Sequence, residues 1–259
     1  MDYDLRSLTI PELLSRGLGL YLNNFLPLFL IAILANMPMM LFSSLLNKIE
    51  ALEMGEYLQF LLPFLVVWII QLMTSVTAAS LSILVIARRY LGRKADLNYL
   101  LPQALKLVLP VMGLGLLNGL AVALGFVFLI VPGFILFSGL SMAQSILVVE
   151  KTGIIESMKR SWRLTSGYKF QVFGIMFLTM MIGSICGGFL DMLSTPLLGG
   201  ADENSFIALF LPVLTSALVG PFVSSVSVLL YFNLKVEKEG FVLEGLAAQF
   251  PEAPGDFRE

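Results

Sequence analysis

The sequence predicts an all-α membrane protein with six transmembrane helices, and three observations support that fold class. Hydrophobic residues make up 58% of the 259 residues and charged residues only 13%, far from the averages of soluble domains. Uncharged apolar runs of about 20 residues recur, the length that crosses about 30 Å of hydrocarbon at about 1.5 Å per residue. Lys and Arg are concentrated in alternate loops, as in chains that cross a membrane repeatedly.

Each apolar run can satisfy its backbone hydrogen bonds within a membrane only as a helix. The 43 uncharged residues from Leu107 to Val149 are too many for one span and about right for two. The turn is predicted at Pro132-Gly133, because proline stops a helix and glycine tolerates a tight conformation. One kinked or re-entrant element is the alternative. The predicted spans are 25–46, 58–87, 107–131, 134–149, 170–190 and 206–234.

The distribution of Lys and Arg predicts the orientation. Two precede the first span, five lie from Arg88 to Lys106, five from Lys151 to Lys169, and three follow the last span. These are 15 of the 16, and only Lys48 falls on the other side. The positive-inside rule therefore predicts cytoplasmic termini and a cytoplasmic tail at 235–259, whose end has the composition of a disordered segment.

Short amphipathic helices before alternate spans predict three parallel helical-hairpin repeats within a single membrane domain, residues 1–234. The first begins with a capping box at Thr9 and Glu12. The second, Asp96 to Lys106, is interrupted by Pro102. In the third, apolar and charged residues occupy opposite faces, which is typical of a helix in the headgroup layer. Its apolar face comprises Ile154, Ile155, Met158 and Trp162, and its charged face Glu156, Lys159, Arg160 and Arg163.

The residue inventory argues against an enzyme. The chain has no histidine, which removes the commonest general base and metal ligand, and its single cysteine, Cys186, is interpreted as buried filler. Neither a phosphate loop nor a dinucleotide fingerprint, metal-ligand spacing or nucleophile elbow is present. We therefore expect no catalytic residues, no cofactor, no metal and no nucleic-acid partner.

Two groups of residues are candidate sites. The basic aromatic cluster of Lys159, Arg160, Trp162 and Arg163 predicts contact with anionic lipid or with an acidic protein partner. The alternative is an interfacial anchor that also determines topology.

The second group is a possible intramembrane polar site. Carboxylates inside a membrane are functional by default, but Glu150 and Asp191 lie near span ends, where a helix cap is the alternative. Deep amides more often join helices than line a path. The site comprises Asn118, Gln144 and Glu150.

Several short motifs follow one another along the chain: Thr9 to Leu14 leading to Leu20-Tyr21, the turn Val131 to Phe134, Val149-Glu150 leading to Met158 to Gly167, and Leu230 to Leu234 followed by Glu237 to Phe241. In this order they resemble the bacterial membrane domain associated with glycerophosphoryl diester phosphodiesterases and its stand-alone YciC-like relatives.

The resemblance implies a six-span module of the prokaryotic inner membrane that is sometimes fused to a catalytic domain and often stands alone without an established activity. The catalytic barrel would need about 250 further residues and histidines, which this chain lacks.

The leading functional hypothesis is a non-catalytic module that organises membrane lipid, expected to be anionic, or a protein partner at the cytoplasmic face. The alternative is a small transporter or lipid-translocating protein, which predicts a hydrated path or a lipid-sized groove at mid-depth.

Overall fold

A computed structural model describes residues 9–50, 57–197 and 205–240 of the chain. Within these ranges the chain forms eleven α-helices and no β-strand. Six helical segments are long and apolar enough to cross a membrane, which confirms the predicted six-span, all-α fold. Residues 1–8, 51–56, 198–204 and 241–259, which include most of the predicted cytoplasmic tail, lie outside the described residues. The six segments are Phe25–Asn47, Leu61–Tyr90, Val108–Phe128, Ile130–Glu150, Lys169–Leu190 and Phe206–Glu239.

Short helices lie before the first, third and fifth of these segments, in the order that the sequence predicts. The helices are α1 (Ile10–Asn23), α2 (Phe25–Asn36), α3 (Pro38–Glu50), α4 (Tyr57–Tyr90), α5 (Leu97–Lys106), α6 (Val108–Phe128), α7 (Ile130–Leu140), α8 (Ala143–Glu150), α9 (Ile154–Leu164), α10 (Lys169–Leu197) and α11 (Phe206–Glu239).

Helix α1 begins where the sequence predicts and packs along α11. The Glu12 carboxylate accepts a hydrogen bond from the Thr9 backbone N–H at 3.0 Å, one half of the expected capping box. Gly17 lies against Val226, whereas Tyr21 donates a hydrogen bond to the Leu218 carbonyl at 2.9 Å. In these two contacts the residue number increases along α1 while it decreases along α11, so the two helices are antiparallel. Helix α1 is therefore part of the bundle.

The turn between the third and fourth spans lies at Leu129, so its predicted position at Pro132-Gly133 is wrong by three residues. Leu129 is extended, with φ −163° and ψ 146°, and α7 starts at Ile130. Pro132 fits in the first turn of α7, where its missing N–H has no partner to lose. Gly133 serves close packing, since a Cβ there would lie 2.5 Å from the Phe126 ring.

The core of the bundle lies toward one end, where α4, α8 and α11 meet. Most residues of α4 from Ala78 to Tyr90 and of α11 from Ser225 to Lys235 are buried, and the Tyr90 and Phe232 rings stack with centroids 5.1 Å apart. Arg88 and Lys235 lie at this end, each 2% exposed. We call it the basic end.

Candidate functional site

Glu150 is the last residue of α8 and lies at the basic end. The helix stops there because Lys151 adopts a left-handed conformation with φ 53°, an uncommon choice for a residue with a side chain. The Lys151 ammonium donates a hydrogen bond to the Gln103 side chain at 2.9 Å. This sharp ending leaves the Glu150 carboxylate between α9 and α11.

Two residues of α11 bind the Glu150 carboxylate from one side. The Tyr231 hydroxyl donates to Oε1 at 2.6 Å, and the Lys235 ammonium donates to the same oxygen at 2.8 Å. Lys235 also lies 3.0 Å from the Tyr231 hydroxyl, because residues four apart share one face of a helix. The Lys235 side chain is 2% exposed and that of Glu150 13%, so this contact is largely removed from water.

Arg160 of α9 binds Glu150 from the other side. Its Nη2 donates to Glu150 Oε1 at 2.9 Å and its Nε lies against Oε2. It also pairs with Glu239 at the end of α11, at 3.1 Å. Partial burial acts against the charged guanidinium, but the carboxylates of Glu150 and Glu239 outweigh it and raise the pKa of Arg160. Arg160 therefore remains charged.

We call Glu150, Arg160, Tyr231, Lys235 and Glu239 the ion cluster. It holds two carboxylates and two cations, so its charges balance. A buried pair of this kind is seldom more stable than an apolar packing, but removal of one member leaves an uncompensated buried charge. The ion cluster therefore fixes the relative positions of α8, α9 and α11.

The face of α9 that packs against the bundle includes two buried serines. Ser157, Ser161 and Leu164 are buried, and the Ser161 hydroxyl donates to the Gly139 carbonyl at 2.7 Å. The Trp162 ring also packs against Gly139, where a Cβ would lie 2.4 Å from a ring carbon. The expected apolar face is thus divided: Ile154 and Met158 pack against the core, whereas Ile155 and part of the Trp162 ring stay exposed.

The opposite side of α9 is exposed and basic. It lines a groove of 710 Å³, in which Trp162 is 38% exposed and Ile155 55% exposed. The ammonium of Lys169, the first residue of α10, lies over the Trp162 ring, 3.1 Å from its centroid. We call the groove-lining set the outer face of α9: Ile155, Glu156, Lys159, Trp162 and Arg163.

The predicted basic aromatic cluster is split by the structure. Lys159, Trp162 and Arg163 come together on the outer face of α9, whereas Arg160 turns inward to the ion cluster. The sequence prediction grouped all four because helical periodicity alone cannot show that a carboxylate on another helix captures one of them.

The predicted intramembrane polar site is not assembled as one site. The Asn118 amide donates to the Leu140 carbonyl at 3.5 Å and so joins α6 to α7. Gln144 lies half-buried on α8. In the described part of the chain, neither amide is a hydrogen-bond partner of Glu150, which binds α9 and α11 instead.

Tyr231 and Lys235 were not identified by sequence reasoning. The predicted sixth span ended at Leu234, which placed Lys235 in a solvated tail. In the structure α11 continues to Glu239. A tyrosine and a lysine four residues apart at the end of an apolar run do mark one helical face, but their acceptor lies 85 residues away from Lys235 in sequence.

A six-span helical bundle with a charged cluster at one end defines a polytopic integral membrane protein. The chain belongs to the family described as a domain of unknown function, DUF7847, which matches residues 99–234, just over half of the chain. The match includes Glu150, Arg160 and Tyr231. It gives no link to the membrane domain of glycerophosphoryl diester phosphodiesterases. Comparison with curated proteins and with solved structures gives no match.

Proposed function

We propose that this protein is a non-catalytic membrane module that binds and organises anionic lipid through the outer face of α9. The observation that carries the proposal is the pairing of exposed cations with an exposed aromatic ring on one groove. Lys159 and Arg163 supply positive charge, and Trp162 and Ile155 supply apolar surface beside it. A phospholipid presents the matching pair, an anionic phosphate next to hydrocarbon.

The charge of the groove favours an anion. Lys159 and Arg163 carry two positive charges against the single negative charge of Glu156, and Lys169 adds a third cation over Trp162. Arginine can bind a phosphate through two parallel N–H groups. Tryptophan is enriched at the depth where headgroups meet hydrocarbon. These features support a lipid rather than an acidic protein partner.

The orientation belongs to the same proposal. With 15 of 16 Lys and Arg on one side, the positive-inside rule favours a cytoplasmic basic end in a prokaryotic inner membrane. The cytoplasmic leaflet attracts basic segments next to the membrane by about 1 kcal/mol per Lys or Arg. The outer face of α9 would then meet the lipids that its charge selects.

The test compares two doubly neutralised variants that lose the same charge. One is Lys159→Gln with Arg163→Gln; Arg160 is retained because it belongs to the ion cluster. The other is Arg89→Gln with Lys94→Gln, two exposed cations at the end of α4 and just after it. Purified full chain is titrated with phosphatidylglycerol and with phosphatidylcholine, and bound lipid is counted by native mass spectrometry.

We expect the α9 variant to lose phosphatidylglycerol affinity by about tenfold or more, since each cation contributes about 1 kcal/mol. The Arg89 and Lys94 variant should bind as wild type does. Equal losses in both variants would show diffuse attraction and would contradict a site on α9. Unchanged lipid binding, with a co-purifying protein lost instead, would favour the protein partner.

A second candidate, a lipid-translocating protein, is favoured by one observation, an apolar groove at mid-depth between α1, α10 and α11. Reconstitution into vesicles that carry a fluorescent lipid in both leaflets tests it. Chemical quenching of the outer leaflet should reach about half of the signal if lipids do not cross. Quenching well beyond half that requires the protein would support translocation over a static module.

A further inference from the structure

A second groove, of 650 Å³, opens between α1, α10 and α11 and shares no lining residue with the outer face of α9. Five of its lining residues come from α1 and α2, five from α10 and three from α11. Its volume falls within the range of about 300–1,000 Å³ that small-molecule pockets occupy. Leu18 is 46% exposed and Phe189 60% exposed, so the groove is open to its surroundings.

The walls of the groove are mostly apolar. Among the described residues that line the groove, the only side-chain hydroxyl groups are those of Ser15 and Tyr21, and none of these residues is charged. The Tyr21 hydroxyl already donates to the Leu218 carbonyl, and its ring packs edge-on against Phe222 with centroids 6.3 Å apart. An occupant therefore meets hydrocarbon walls and finds no partner for a charge.

The groove lies at the middle depth of the bundle. Leu218 is 17 residues from Lys235 along α11, or about 25 Å, and 12 residues from Phe206, or about 18 Å. Both α10 and α11 are membrane-length segments at this level. The medium at the mouth of the groove is accordingly the hydrocarbon of the bilayer.

Its size argues against a second copy of the chain as occupant. Thirteen of the described residues line the groove, whereas a stable interface uses roughly 20–30 residues from each partner. The uncharged walls of the groove suit the uncharged hydrocarbon of a lipid acyl chain. We propose that the groove between α1, α10 and α11 binds one acyl chain of a membrane phospholipid. This site is independent of the headgroup site proposed on α9.

The single cysteine of the protein provides a way to fill the groove. Cys186 lines it and is exposed, in contrast to its predicted role as buried filler. Cys186→Phe places a ring in the groove. The neighbouring Ile185 is 63% exposed and does not line the groove, so Ile185→Phe is a matched control on the same helix.

The experiment uses full-length protein in phosphatidylcholine nanodiscs that contain phosphatidylcholine with a photoactivatable diazirine in one acyl chain. After irradiation, labelled peptides are mapped by mass spectrometry. Labelling of residues 182–190 should exceed that of the exposed α6 residues Leu116 and Leu120 in wild type. Cys186→Phe should reduce it by about tenfold or more, the effect of a steric change in an apolar pocket, and Ile185→Phe should not.

Equal labelling of α10 and α6, or the same effect of both substitutions, would overturn the proposal. A dimer in native mass spectra that Cys186→Phe abolishes would assign the groove to a second copy and also overturn it. Both variants must elute and unfold as wild type does; Cys186→Leu replaces Cys186→Phe if that protein misfolds. Because phosphatidylcholine carries no net charge, labelling of residues 182–190 should be unchanged in the variant with Lys159→Gln and Arg163→Gln. Failure of the headgroup site on α9 can therefore be distinguished from failure of the acyl-chain site.

Discussion

Lys159 and Arg160 are neighbours in the sequence but belong to two different regions of the molecule. Arg160 reaches into the ion cluster, where Glu150 and Glu239 neutralise it and its side chain is 25% exposed. Lys159 lies on the outer face of α9 beside Trp162 and Arg163. One basic segment thus supplies an internal attachment and an external charged surface. A count of cations in such a segment therefore overestimates the charge available to a ligand.

The largest expected effect is on the ion cluster. Glu150→Ala leaves the cations of Arg160 and Lys235 without their shared carboxylate, so we expect a loss of about 3–5 kcal/mol in the free energy of unfolding. Denaturation of the purified protein in mixed detergent measures it. Glu156→Ala, which removes an exposed carboxylate from the outer face of α9, should change stability by less than about 0.5 kcal/mol. Similar effects of the two substitutions would contradict a structural ion cluster.

Tyr231→Phe tests the same region with a smaller change. It removes only the hydroxyl that donates to Glu150 at 2.6 Å, and hydrogen bonds to charged groups contribute about 1.5–3 kcal/mol. Tyr168→Phe is the matched control, because the Tyr168 hydroxyl donates to Glu237 at an exposed position. The same unfolding measurement should find the control within about 0.5 kcal/mol of wild type. If Tyr231→Phe left the free energy of unfolding unchanged, the Tyr231 hydroxyl would not stabilise the ion cluster.

Gly139→Ala tests how closely α9 packs on α7. The new Cβ would lie 2.4 Å from the Trp162 ring, so the ring or the helix must move, with an expected loss of about 1–3 kcal/mol. Gly174→Ala has no neighbour within 4 Å of the new Cβ and should be neutral or stabilising by about 0.5–1 kcal/mol. Trp162 fluorescence, with the other tryptophan, Trp68, replaced by phenylalanine, should shift only in Gly139→Ala. A shift in neither variant would mean that Trp162 is not packed on Gly139.

The outer face of α9 should have the smallest effect on stability. Lys159→Gln with Arg163→Gln removes two exposed charges, and exposed substitutions change the free energy of unfolding by less than about 0.5 kcal/mol. Thermal unfolding in detergent without anionic lipid measures this. A larger loss would show that these cations support the bundle, and the division between the two regions would then fail.

Most of the fold could be predicted from the sequence because a bilayer imposes length and charge rules. Charge-free runs from Phe25 onward identify six spans, and the structure contains six membrane-length segments. The turn was misplaced because Pro132 is as compatible with the first turn of a helix as with a loop. Periodicity therefore locates the hairpin but not the residue at which it turns.

The site was less predictable because burial in a membrane bundle does not follow hydrophobicity. Ser157 and Ser161 are buried whereas Ile155 and Trp162 are exposed, since small residues allow close helix contact and lipid accepts apolar ones. Two partners of Glu150 lie on α11, 81 and 85 residues away in sequence. Only a three-dimensional structure brings Tyr231 and Lys235 to that carboxylate.

The most direct test of the central claim compares Lys159→Gln with Arg160→Gln, two neighbouring single substitutions, in one set of preparations. Unfolding in detergent and binding of phosphatidylglycerol by native mass spectrometry are measured for both. We predict that Lys159→Gln weakens lipid binding at unchanged stability, and that Arg160→Gln lowers stability because Glu150 and Glu239 lose the guanidinium that they share. If both lose lipid binding equally at unchanged stability, Lys159 and Arg160 belong to one continuous surface and the division into two regions is wrong.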